Sequence, residues 1–220
     1  MKRREAGFTL VEIAIVLVII GLLLGGVLKG QELVNSAKVK NLANDFRAIS
    51  SFVYAYQDRF RALPGDDRAA NTHLNGGSNA TTPTNMQGNA RINGAWNSRT
   101  ASDESFLFWQ HVRLAGLATG TPDSASGDYL PRNAEGGVIG ITGDAVLTAP
   151  PAATPYPASF YVCSQGIQGR YVRQIDTTID DGNSQTGAVR ALTDNAANDA
   201  NARLITPADD ALLFTVCMAF

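Results

Sequence analysis

Residue types that commonly carry chemistry are sparse and badly spaced for it. Two cysteines, Cys163 and Cys217, lie far apart with no C-x-x-C pairing, and the only histidines are His73 and His111. That set does not fit zinc ligation or dithiol redox catalysis. In an exported domain, an isolated cysteine pair is most simply one disulfide; two unpaired buried thiols are the alternative. His111 falls within a predicted helix with no acid or second histidine beside it, which fits packing or surface chemistry better than general-base catalysis. No catalytic residue, cofactor or metal is expected.

One oxygen-rich cluster stands out, formed by Asp176, Asp180, Asp181 and Asn183. Such residues suit a hard cation such as calcium. The full EF-hand spacing is absent, and Asp-Gly with Asn after an apolar run is what a tight turn or helix stop looks like. The turn is the preferred reading, with the cation as the alternative. Gly137, Gly140 and Gly143 lack the spacing of a nucleotide loop and read as turns. Asn79-Ala80-Thr81 fits an N-glycosylation acceptor, a three-residue match that is common by chance.

Glu12 is the anomalous ionisable residue. It interrupts an apolar run of 21 residues, 8–28, of which the last 16, residues 13–28, carry no charge. A secretory signal peptide has a shorter apolar core, and no A-x-A site follows this one before Lys29. About 20 apolar residues cross a bilayer as a helix, so residues 8–28 read as a retained span. Lys2, Arg3 and Arg4 precede the span and no comparable cluster follows it, which places the N-terminus in the cytoplasm and the rest outside. A lone carboxylate in such a span has a partner or snorkels to the near membrane surface.

The elements that position these residues follow from periodicity. Leu42, Phe46, Ile49, Val53, Tyr56 and Phe60 step by four and three, one apolar stripe along a helix. Lys40, Asn44, Arg47, Ser51, Asp58 and Arg59 lie off it. Leu63-Pro64-Gly65-Asp66 ends the helix. One nearly continuous helix over residues 8–62 is predicted, lipid-soluble in its first half and covering a globular head with its second. Gly21, Gly25, Gly26 and Gly30 lie inside it; small-x-x-x-small spacing permits close helix contact in lipid, although bilayer spans tolerate glycine in any case.

Beyond the turn, residues 68–101 are rich in Asn, Gly, Thr and Ser and read as a long surface loop. Asp103 or Ser105 caps a second helix that ends at Gly116 or Gly120. Apolar runs at 137–142, 145–148, 160–163 and 212–220 suggest strands of a small antiparallel sheet, and 171–179 a helix. The expectation is an α+β fold: a long N-terminal helix, membrane-inserting in its first half, packed on a small antiparallel-sheet head. Its divisions are a leader (1–7), a span (8–28), the amphipathic continuation of the helix (29–62) and the head (63–220).

Hydrophobic residues make up 45% of the chain, an ordinary share, so it is their concentration near the N-terminus that is informative. The formal charge is −2, with no Lys/Arg cluster outside the first few residues. A mildly acidic body gives no phosphate-binding surface, and nucleic acid is not an expected partner.

Gly7-Phe8-Thr9-Leu10-Val11-Glu12, with basic residues before it and an apolar run after it, resembles the processing site of type IV prepilins and type II secretion pseudopilins. The resemblance implies that a prepilin peptidase cuts after Gly7 on the cytoplasmic face and that Phe8 becomes an N-methylated terminus. Glu12 would then be the fifth mature residue, pairing with a neighbouring subunit's N-terminal amine. The implied partners are membrane lipid before assembly, an inner-membrane assembly platform, and other subunits of a homo- or hetero-polymeric filament, periplasmic or extracellular. Many relatives carry proline where this chain has Lys29, and there the pattern departs. The implied role is a structural subunit and not an enzyme; the alternative is a minor or tip pilin whose head binds a ligand or surface through residues 68–101.

Overall fold

The computed structural model describes residues 9–148 and 156–220. The fold is α+β and pilin-like. The helices are α1 (Leu10–Phe60), α2 (Ala70–His73), α3 (Glu104–Leu114) and α4 (Gly169–Ile179), and the strands are β1 (Ile139–Thr142), β2 (Tyr161–Gln168), β3 (Val189–Thr193) and β4 (Leu213–Ala219). The chain divides into two units, Met1–Lys38 and Val39–Phe220, with the boundary inside α1.

Among the described residues of the first unit none is buried. Every large apolar side chain at positions 10–28 is exposed, from 46% at Ile20 to 91% at Leu10. Glycine and β-branched residues weaken a helix in water. In a bilayer the balance differs, because each peptide group must bond within its own segment. The segment is long and apolar enough to cross a membrane. α1 continues without a break through Lys29, where lysine retains the N–H that proline lacks. The Lys29–Glu32 ion pair at 2.7 Å is exposed on both sides and contributes little.

In the second unit the same helix acquires a buried face. Leu42, Phe46, Ile49, Val53 and Tyr56 are all buried, and Lys40, Asn44, Arg47, Ser51, Asp58 and Arg59, which lie off the stripe, are exposed, so the predicted stripe is the core-facing side. Arg61, at φ 56°, leaves helical geometry, and Leu63-Pro64 prevents its return.

The sheet is antiparallel throughout, in the order β1-β2-β4-β3. Because β4 lies between β2 and β3, the last strand is paired on both edges. Successive side chains on a strand point to opposite faces. A register shift between Ser164 and Ile167 returns Ile167 to the face of Val162, and these two with Val216 join the α1 stripe, Phe108 and Val112 of α3, and Val172 and Ile175 of α4 in one buried cluster. Cys163 and Cys217, each one residue out of phase, enter a second cluster with Trp96, Val146, Tyr161 and Leu192.

Cys163 stands opposite Cys217 in the β2–β4 register, and the two are disulfide-bonded, 54 residues apart in sequence. By loop-closure entropy such a cross-link contributes about 4 kcal/mol, within a measured range of about 0–5 kcal/mol.

Four expectations change. Residues 68–101 are not a free surface loop: they contain α2, and they bury Leu74, Ala80, Ile92 and Trp96. Asn, Gly and Thr are the composition of backbone that turns often, and here the turns bring isolated apolar residues inward. Residues 145–148 form no strand; Leu147 makes a single bridge to Asp199. The neighbouring chain at 195–203 is irregular, so no ladder can propagate. β3 was not expected, because Arg190 interrupts its apolar run; the guanidinium is buried over the Tyr156 ring, 4.3 Å from its centroid. Gly140 lies within β1 instead of a turn, and a Cβ there would fall 1.8 Å from the Trp96 carbonyl oxygen. Glycine is needed for close approach.

Candidate functional site

The first candidate is the start of α1. Gly7 and Phe8 lie outside the described residues, and the geometry begins at Thr9. The backbone N–H and the hydroxyl of Thr9 each donate to Glu12 Oε2 at 2.8 Å, and the Glu12 N–H donates to Thr9 Oγ1 at 3.2 Å. This is a reciprocal capping box, which satisfies donors that a helix start leaves orphaned. Its signal is the Thr9-x-x-Glu12 spacing, which a search for an intramembrane partner passes over. A Cβ added at Gly21, Gly25, Gly26 or Gly30 would meet nothing within 4 Å. Among the described residues, no packing demands glycine at those positions.

The head's histidines are engaged in structure. Gly65 donates its N–H to His111 Nδ1 at 2.8 Å, and His111 Nε2 lies 2.8 Å from the Ser78 carbonyl oxygen. Burial pushes this imidazole below its ordinary pKa, so it is neutral, with Nε2 as the donor. His111 thus joins the turn after α1 to the chain near Ser78. His73 Nδ1 contacts Asp67 Oδ2 at 2.7 Å, and Tyr56 donates its hydroxyl to the same oxygen at 2.8 Å. Asn79 donates its side-chain amide to the Arg68 carbonyl at 2.7 Å, so the atom a glycan would take is already in use.

The acidic cluster lies where α4 meets the approach to β3. The expected turn is there: Asp181 Oδ1 accepts the Asn183 N–H at 2.9 Å, Asp181 Oδ2 accepts the Thr186 hydroxyl at 2.6 Å, and Asn183 Oδ1 accepts the Gln185 N–H at 3.1 Å. Asp180 Oδ2 accepts the N–H of Val189, the first residue of β3, at 2.7 Å. Asp176 reaches the same place from the last turn of α4 and is fully buried. One oxygen each from Asp176, Asp180 and Asp181 lies within 4.8 Å of the others; the Asn183 side-chain oxygen is taken up by Gln185. Burial pushes Asp176 up to about 6, the Asp180 and Asp181 charges add to the rise, and the Gly182 and Asn183 N–H groups oppose it.

A second buried acid was not found by sequence reasoning. Glu104, in the first turn of α3, is fully buried; its Oε2 accepts the Asn93 N–H at 2.7 Å. Burial pushes it up to about 8, reinforced by the charges of Asp66 and Asp144. Asp66 in turn accepts N–H groups from Gly88, Asn89 and Ala90, which pins the 68–101 segment to the end of α1. No periodicity marks these residues, because their partners are backbone groups on an irregular segment.

The geometry therefore concentrates unsatisfied surface at the N-terminal helix and structural polar joints in the head. Residues 2–28 match the prokaryotic N-terminal methylation motif. The chain thus carries the signature of type IV prepilin- and pseudopilin-like proteins, a structural class. No curated protein and no solved structure matches the chain.

Proposed function

We propose that this protein is a structural subunit of a type IV pilus or a related pseudopilus, without catalysis of its own. One observation carries the reading: a methylation motif at residues 2–28 heads a helix whose apolar side chains at 10–28 are all exposed. Such a surface is covered by lipid before assembly and by neighbouring helices in a filament. Residues 1–7 are then the leader, removed by a prepilin peptidase, and Phe8 is the methylated terminus. The basic leader faces the cytoplasm and the head lies outside, in keeping with the disulfide. Glu12 pairs with the terminal amine of an adjacent subunit.

Terminal mass spectrometry of the membrane-extracted protein tests this directly. The expected mature chain begins at Phe8, carries one methyl group on its amine and has 213 residues, the 220 of the full sequence less the seven removed. An intact Met1, or cleavage beyond Leu28, would overturn it.

A further inference from the structure

We propose that Asp176, Asp180 and Asp181 form a calcium-binding site that joins the end of α4 to the start of β3. This goes beyond the filament reading and stands independently of it.

The first observation is convergence: three carboxylates from the last turn of a helix and the residues that follow it bring oxygens within 4.8 Å of one another. Calcium binds oxygen at about 2.3–2.6 Å, so two ligands of one ion lie at most about 5 Å apart. The spread of this group fits that limit.

The second observation is Asp176 itself. Its side chain is completely buried, yet neither Oδ1 nor Oδ2 has a hydrogen-bond partner. The backbone N–H groups of Gly182 and Asn183 lie near enough to lower its pKa, but neither carboxylate oxygen has a donor in hydrogen-bond geometry. Buried polar atoms are almost always satisfied, and a native exception calls for an unseen water, ion or functional role. An oxygen-only group of three acids favours a hard cation. The nearby positive charge acting on the group is Arg190, which lowers the pKa of Asp181 from one side after the hydrogen bonds from Thr186 and Asn183.

The surrounding chain holds the ligands in place. Asp180 is fixed by the Val189 N–H. Gly187, at φ 68°, packs so closely that a Cβ there would fall 2.1 Å from Asp180 Oδ2. Asp181 is exposed and Asp180 half-buried, so solvent has access from one side, and Asp176 closes the other. Fixed carboxylates beside a solvent opening are what a preorganised ion site requires.

The test uses the full-length protein in detergent micelles, stripped with chelator and titrated with calcium chloride by calorimetry and by thermal unfolding. The expected result is one calcium per chain and a melting temperature that rises with calcium concentration, because the ion binds only the folded head. Asp181→Asn, on an exposed side chain, is expected to fold and to weaken binding at least tenfold. Asp176→Asn is expected to abolish the calcium-dependent shift while melting, in chelator, no lower than the parent, since it removes a buried charge. The proposal is overturned if the parent shows no heat and no shift up to about 1 mM calcium, the weak end of extracellular sites. It is also overturned if both variants keep the parent's shift.

Discussion

At Glu12 one carboxylate serves two ends. Within the subunit it caps α1 through Thr9; in the proposed filament it meets a neighbour's amine. The two roles separate chemically, because a capping box accepts Glu or Gln at this position, whereas an ion pair needs the charge. The acid was legible in the sequence as an outlier in an apolar run. The cap required attention to a three-residue spacing.

Glu104 was not legible at all, yet it sets an expected pH dependence. An unfolded glutamic acid titrates near 4.5, and burial raises this one to about 8. Folding thus favours the protonated form. Its contribution to stability is complete below about pH 4.5 and is lost as pH rises through about 8. Oε1 has no donor facing it; a proton there lets Glu104 donate toward Asp66. Thermal melts in chelator should show the parent losing stability from about pH 5 to about pH 8, with a flatter profile for Glu104→Gln. Equal slopes for the two proteins would refute this assignment.

At the scale of elements, α1 is one helix with two kinds of surface. Phe46 is fully buried in the head core, so Phe46→Ala should destabilise the head by about 3–5 kcal/mol. Leu24 is 59% exposed, and Leu24→Ala should leave head stability within about 0.5 kcal/mol of the parent. Chemical denaturation of the full-length protein in detergent measures both. A large loss for Leu24→Ala would contradict this division of the helix. The stripe was readable because burial on a helix imposes a period on the sequence. Strand β3 was not, because Arg190 meets its need through a tyrosine ring instead of solvent. The 68–101 segment was misread for a related reason: it is anchored by Asp66 and by single apolar residues too widely spaced to form a pattern.

At the scale of the molecule, the two units divide the work. The first presents large apolar side chains that are exposed from residue 10 to residue 28. The second is closed by a central C-terminal strand, a disulfide across β2 and β4, and acids bonded to backbone. The sequence made the first unit nearly explicit, because membrane length, charge asymmetry and the N-terminal methylation motif are all local. The head was legible in class and in most elements, but its joints, His111 and Glu104 among them, depend on contacts between distant segments.

The central claim is assembly through the N-terminal helix, and the most direct measurement compares the parent with Glu12→Gln, each expressed as the sole copy. Filaments are sheared or extracted, freed of membrane by detergent and sedimented, and the chain is quantified in pellet and membrane fractions together with its N-terminal residue. The account expects the parent in the pellet, beginning at Phe8. It expects Glu12→Gln to begin at Phe8 as well, with its capping box intact, but to remain in the membrane fraction with pellet incorporation reduced at least tenfold. Equal incorporation of the two chains, or a parent that is processed yet never sediments, would contradict it.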